Sequence, residues 1–304
     1  MSRSRPPAWQ GLVVVDKPPG MTSHDVVARC RRTFGQRQVG HAGTLDPSAT
    51  GVLLVGLGRA TRLLRFLAVL PKSYEGDMVL GVETTTLDAD GEVVATHDLG
   101  DLGLGDVQAA AAGLVGDIDQ VPPMVSAVKV GGRRLHELAR AGVEVDRSPR
   151  HVTVHRFDVQ PGPEPGVYRI AVECSSGTYV RSLAADLGRA LGVGAHRRHL
   201  RRTAVGPFTV THARALEEVG ADAVLPPVEA VRHLPQVTVD SGTAAAVAHG
   251  AVLARDAASF PGEGPWAVVD GEGVLLAVYE DWSPGAVKPS VVLAGTAFGH
   301  AGGR

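Results

Sequence analysis

The chain has 304 residues, 44% of them hydrophobic, and a formal net charge of −2. That length suits one large domain with a smaller companion, and the apolar share is ample for a buried core. Two cysteines, Cys30 and Cys174, give no disulfide framework and no zinc site. With no apolar run of membrane-spanning length and no secretory signal near Met1, the expectation is a cytoplasmic protein.

Gly11 to Val15 reads as an apolar strand running into the turn Asp16-Lys17-Pro18-Pro19-Gly20. Thr22 or Ser23 can cap a helix, with Asp25 placed where negative charge suits the macrodipole. Val26, Val27, Cys30 and Phe34 follow helical spacing, Arg29, Arg31 and Arg32 fall largely off that face, and Gly35 ends the element. Gly51 to Leu57 reads as a buried strand, Leu63 to Leu70 as a helix closed by Pro71, and Ser73 to Val82 as a strand before the turn Asp88 to Gly91. A helix is expected over Val107 to Val115. A strand from Met124 to Val130, a Gly131-Gly132 turn and a short helix from Arg133 to Arg140 follow. Strands Val152 to Val159 and Tyr168 to Cys174 flank a Pro- and Gly-rich hairpin loop. Tyr179 to Leu191 is an amphipathic helix. Residues 211–234 look helical and then irregular, and short β-like runs follow from Val237 to Leu293. Strands and helices mix without a βαβ rhythm, which fits an α+β protein with a mixed, largely antiparallel sheet.

Charge is uneven along the chain. Residues 236–304 hold seven acids against three bases, while residues 1–37 hold seven bases against Asp16 and Asp25. Arg197, Arg198, Arg201 and Arg202 form a second basic cluster. Local basic surface, and not overall charge, governs binding to nucleic acid.

The stretch Gly40-His41-Ala42-Gly43-Thr44-Leu45-Asp46-Pro47-Ser48-Ala49-Thr50-Gly51 places one carboxylate in a glycine-flanked turn. Glycine permits positive φ or close approach, and Pro47 fixes φ and removes a donor. An isolated Asp-Pro pair is ordinary turn chemistry. The twelve residues together resemble the catalytic motif of the pseudouridine synthases, specifically the tRNA pseudouridine synthase B family. Two further stretches match it: Lys72-Ser73-Tyr74-Glu75, and Cys174 to Leu183 with Tyr179 and Arg181. The resemblance is continuous over about residues 11–210.

The resemblance implies a pseudouridine synthase fold, with helices around a central cleft, over residues 1–234, and a small PUA-like β domain over 235–304. It implies isomerisation of uridine 55 in the T-loop of tRNA. The bond between uracil N1 and ribose C1′ breaks, the base turns, and C5 rejoins the sugar. A carboxylate can assist by attacking C6 or C1′, or by steering protons. By resemblance Asp46 is that carboxylate, His41 aids base extrusion, and Tyr74, Tyr179 and Leu200 line the uracil pocket, where an aromatic can stack on a flipped base. Arg181 pairs with Asp46, since a guanidinium fork holds a carboxylate in two-point geometry. An RNA-gripping insertion over about 121–142 marks the stand-alone bacterial branch, and Lys129, Arg133, Arg134, Arg197, Arg198, Arg201 and Arg202 are expected on phosphates. No cofactor and no metal are expected, because the reaction has no net redox change. The expected partner is tRNA, bound by a monomer without a protein partner. Two rival readings remain at this stage: an RNA-binding or tRNA-folding protein with a vestigial site, and a guide-RNA-dependent synthase.

Overall fold

The computed structural model describes residues 9–124, 129–130, 133–134 and 147–293. The chain packs as two compact units that interleave in sequence, the first within 1–47, 52–68 and 206–304, the second within 48–51 and 69–205.

In the first unit, strand β1 (Gly11–Lys17) runs parallel to Arg214–Ala215 on one side and lies beside strand β3 (Thr50–Leu57) on the other. Strand β2 (Val39–Ala42), which the sequence reading did not separate from the turn, pairs antiparallel with β3 through His41↔Val55. Every residue of β3 after Thr50 is buried, as a run without polar alternation requires. Helix α1 (Ser23–Thr33) forms where its cap predicts. The Thr22 side chain accepts from the Asp25 backbone and the Asp25 carboxylate accepts from the Thr22 backbone, a reciprocal capping box. Its Val26, Val27 and Cys30 enter a core with Val13, Val15, Phe34, Leu53 and Leu57. The expected helix around Leu63 is a 3-10 turn, Gly58–Leu63, leading into the short helix α2 (Leu64–Ala68).

The segment 211–234 contains no α-helix, contrary to the sequence expectation. It is a chain of 3-10 turns, among them Leu216–Glu218, Ala221–Ala223 and Pro227–Val231. Leu216, Val219 and Ala223 reach the core from these separate turns, and their spacing imitates a helix face. Beyond it lies a five-stranded sheet in the order Gln236–Thr238, Trp266–Val269, Leu275–Ser283, Ala286–Val292, Leu253–Ala254. It is closed over a core of Val237, Val247, Trp266, Val268 and Tyr279. The helix Ser241–Ala248 in this part was not foreseen. Arg59 and Arg62 donate to the carbonyls of Leu293 (3.3 Å) and Val292 (2.9 Å) at the end of that sheet.

In the second unit, Thr50 and Gly51 at the head of β3 run parallel to Arg201 and Arg202. The order continues as Ala195–Val205, β4 (Lys72–Leu80), Val167–Cys174, Arg150–Pro161 and Gly116–Gln120, every neighbour antiparallel. The central strand Ala195–Val205 carries no apolar alternation in sequence, because arginines occupy its inward positions. Helix α3 (Leu104–Ala112) is tied to this sheet by the Gln108 amide, which donates to the Val159 carbonyl at 3.0 Å. Helix α4 (Val180–Ala190) packs on Ala195–Val205 with Val180, Leu183 and Leu187 buried. Arg133–Arg134 pairs antiparallel with Lys129–Val130, so the short helix expected from Arg133 begins instead as a strand. Residues 125–128, 131–132 and 135–146, which include most of the expected insertion over about 121–142, lie outside the described residues. The α+β architecture with a mixed, largely antiparallel sheet is the one expected.

Candidate active site

The Asp46 segment is built from bonds to its two neighbours. Lys17 is fully buried at the end of β1, and its ammonium donates to the carbonyls of Pro18 (2.8 Å), Met21 (2.6 Å) and Pro47 (3.0 Å). Three donors meet three acceptors. Gly20 N–H donates to the same Pro47 carbonyl at 2.9 Å. On the other side, the Leu45 N–H donates to the buried Ser23 hydroxyl at 2.9 Å, and that hydroxyl donates to the Leu45 carbonyl at 3.3 Å. Leu45 and Pro47 are therefore clamped by α1 and the turn before it, and the partly buried Asp46 between them has a fixed backbone. Lys17 thus ties the turn that follows β1 to the Pro47 backbone.

Tyr74 and Leu200 come together by register. Tyr74 faces Arg202 across the pair, Gly76 faces Leu200, and no bulge separates the two positions, so Tyr74 and Leu200 share one face of the sheet as diagonal neighbours. Gly76 is required there, because a Cβ would lie 2.5 Å from the His199 carbonyl oxygen. His199 sits at φ 46°, in the left-handed region, where the register shifts. Both Tyr74 and Leu200 are 8% exposed.

Tyr179 is the N-cap residue of α4, and its backbone is gripped by the buried Gln120 amide. Tyr179 N–H donates to Gln120 Oε1 at 2.7 Å, and Gln120 Nε2 donates to the Tyr179 carbonyl at 3.1 Å. Arg181, the second residue of that helix, is buried. It donates to the Thr86 carbonyl at 3.2 Å and pairs with Asp88 at 3.3 Å. Asp88 also receives Arg197 at 3.0 Å. Thr86 Oγ1 donates to the other Asp88 oxygen, and Leu87 reaches φ 62° to form the turn. Asp88 is thus a buried carboxylate shared by two guanidiniums, where the sequence predicts only a turn. The Asp-Ala-Asp-Gly pattern gave no other signal. Gln120 and Ser23 were also missed, since neither amides nor hydroxyls announce a buried role in sequence.

The basic cluster divides. Arg197 and Arg202 are buried at 2% and 1% exposure, which corrects the expectation that all four arginines face phosphates. Inward alternation and the Asp88 charge explain Arg197, and the pairing of Arg202 opposite Tyr74 carries it to the covered face. Arg198 and Arg201 remain partly exposed, Arg198 between Asp77 (3.7 Å) and Glu164 (3.4 Å). For Lys129, Arg133 and Arg134 only the backbone pairing is described. Among the described residues, no group of three or more His, Cys, Asp or Glu side chains could hold a metal ion.

Residues 31–180 match the family model of the TruB family pseudouridylate synthase N-terminal domain, and residues 181–230 match the tRNA pseudouridylate synthase B C-terminal domain. A tRNA pseudouridine synthase B from Symbiobacterium thermophilum is 54% identical over 245 residues, covering 79% of this chain and 82% of that protein. This chain belongs to the TruB family of pseudouridylate synthases. A second TruB-family relative, from Nocardia farcinica, is 49% identical over 286 residues and covers 89% of each chain. Among solved structures, the chain resembles one described as a Cbf5-Nop10-Gar1 complex, with a TM-score of 0.72 and 29% identity over 96% of this chain and 86% of that one. Another likeness, with a TM-score of 0.71 and 28% identity, is to an H/ACA RNP bound to a substrate RNA containing 2'-deoxyuridine; it covers 93% of this chain and 84% of that one. In this TruB-family chain the two matched segments meet between Val180 and Arg181, at the start of α4.

Proposed function

We propose that this pseudouridine synthase acts alone on the T-loop of tRNA, converting uridine 55 to pseudouridine with Asp46 as its essential carboxylate. One observation carries the reading: Asp46 is the residue whose two chain neighbours are both clamped, by Lys17 and by Ser23. A carboxylate that only closed a turn needs no such fixing. Four residues further on, Thr50 bonds to the Leu200 carbonyl at 3.5 Å and pairs in parallel with Arg201.

Tyr74, Tyr179 and Leu200 offer the flat and apolar surface that an extruded uracil needs, and His41 aids its extrusion. Arg181 is the guanidinium that orients Asp46. Arg198, Arg201 and the insertion bases Lys129, Arg133 and Arg134 meet phosphates, and residues 235–304 form the PUA-like RNA-binding part.

The test is turnover on an unmodified tRNA transcript without guide RNA. Wild type converts the T-loop uridine, and Asp46→Asn loses roughly 10³-fold or more in rate while still binding the transcript. Equal product from both chains removes Asp46 from the chemistry. Binding by wild type without turnover on any RNA favours the vestigial-site reading, and turnover only with added guide RNA favours the guide-dependent one.

A further inference from the structure

His24 is the second residue of α1, immediately after the Ser23 that clamps Leu45. Its ring meets that of His41 on β2, with centroids 5.3 Å apart and planes at 83°, an edge-to-face pair. The contact is not core packing. The buried face of α1 is Ser23, Val26, Val27 and Cys30, and His24 is exposed. The elements that bear the two rings are themselves fixed. The Thr22–Asp25 capping box sets the helix start, the Ser23 hydroxyl ties it to Leu45, and His41 stands in register opposite Val55.

The geometry points to His24 as a positioning residue: its ring buttresses the His41 imidazole and limits the orientations that imidazole adopts when a uridine is extruded. This rests on the reading of His41 given above. An imidazole that takes part in displacing a base must be ready in one orientation before the base leaves, since ordering it during the step adds to the barrier. A partly buried histidine on β2 still has more than one staggered rotamer open to it, and an edge-to-face neighbour on a rigid helix selects among them.

The experiment is single-turnover pseudouridine formation on an unmodified tRNA transcript by His24→Ala, His24→Phe, His41→Ala and the double variant His24→Ala/His41→Ala. His24→Ala lowers the rate about three- to tenfold with transcript affinity and thermal midpoint unchanged. His24→Phe, which keeps an aromatic edge and face, recovers most of the loss. In the His41→Ala background, adding His24→Ala changes the rate less than about twofold, because the group it positions is gone. The inference is overturned if His24→Ala matches wild type, if its loss is the same in both backgrounds, or if His24→Phe is as slow as His24→Ala. A wild-type rate in His41→Ala overturns the reading of His41 and this inference together. A slow His41→Ala beside a normal His24→Ala overturns this inference alone.

Discussion

Asp88 shows what one side chain carries in this protein. Its carboxylate is buried against two guanidiniums, and one of them belongs to Arg181, the residue assigned to Asp46. Removing one partner from a buried ion network leaves charge uncompensated, at a cost of about 3–5 kcal/mol. Asp88→Asn is therefore expected to lower stability by about 3 kcal/mol in denaturant unfolding and to slow turnover even at temperatures where the variant is folded. Asp90, two residues on in the same turn, is exposed, and Asp90→Asn should leave both quantities unchanged. In sequence the two aspartates look alike. Only the fold separates them, because the partners of Asp88, Arg181 and Arg197, are distant in the chain, the latter 109 positions away.

The element that organises the second unit's end of the motif is the head of β3. Gly51 has φ 99°, and a Cβ on it would lie 2.2 Å from the Arg202 carbonyl oxygen. Glycine is demanded twice there, by backbone conformation and by the approach of the neighbouring strand. Gly51→Ala is expected to cost about 2 kcal/mol or more in thermal or denaturant unfolding, and to lower activity through displaced Arg201–Arg202 pairing. Gly35, also at positive φ but with open space around it, should lose less on the same change. The motif glycines were legible as special before any fold was known. Which of them answers to a turn and which to a neighbouring strand was not, because the neighbour comes from the distant strand Ala195–Val205. That strand was itself hidden: its arginines read as a surface cluster until Arg197 and Arg202 proved to be buried.

At the scale of the whole molecule, the buried Lys72 amine and two buried thiols contribute to how stability depends on pH. Lys72, at the start of β4, donates to the Leu70 carbonyl at 2.6 Å, and burial, with the nearby Arg202 charge, pushes its pKa down to about 8. Between about pH 8 and 10 the unfolded chain holds a proton on this amine that the folded chain has released, so this group makes stability rise with pH across that window. Burial pushes the thiols of Cys30 and Cys174 up to about 11, so the folded chain keeps protons there that the unfolded chain loses from about pH 9 upward, which acts in the opposite direction. Comparison with Lys72→Met separates the two. The stability advantage of wild type over that variant should grow from pH 8 to pH 10, as read from unfolding midpoints, and a constant difference would show that Lys72 does not titrate in that range.

The sequence alone determined what depends on neighbours along the chain: the capped helix α1, the fully apolar β3, the amphipathic α4, the α+β mixture and the Asp46 motif. Periodicity, caps and glycines are local, and local chemistry is enough to read them. The tertiary structure decided what depends on partners far apart. It turned Lys17 and Ser23 into clamps on either side of Asp46, buried Asp88 between two arginines, and set Tyr74 beside Leu200 by strand register. It also broke the helix-like spacing of 211–234 into turns. A carbonyl 30 residues away or a carboxylate 109 away leaves no trace in the periodicity around a residue, and its effect exists only once the strands have paired.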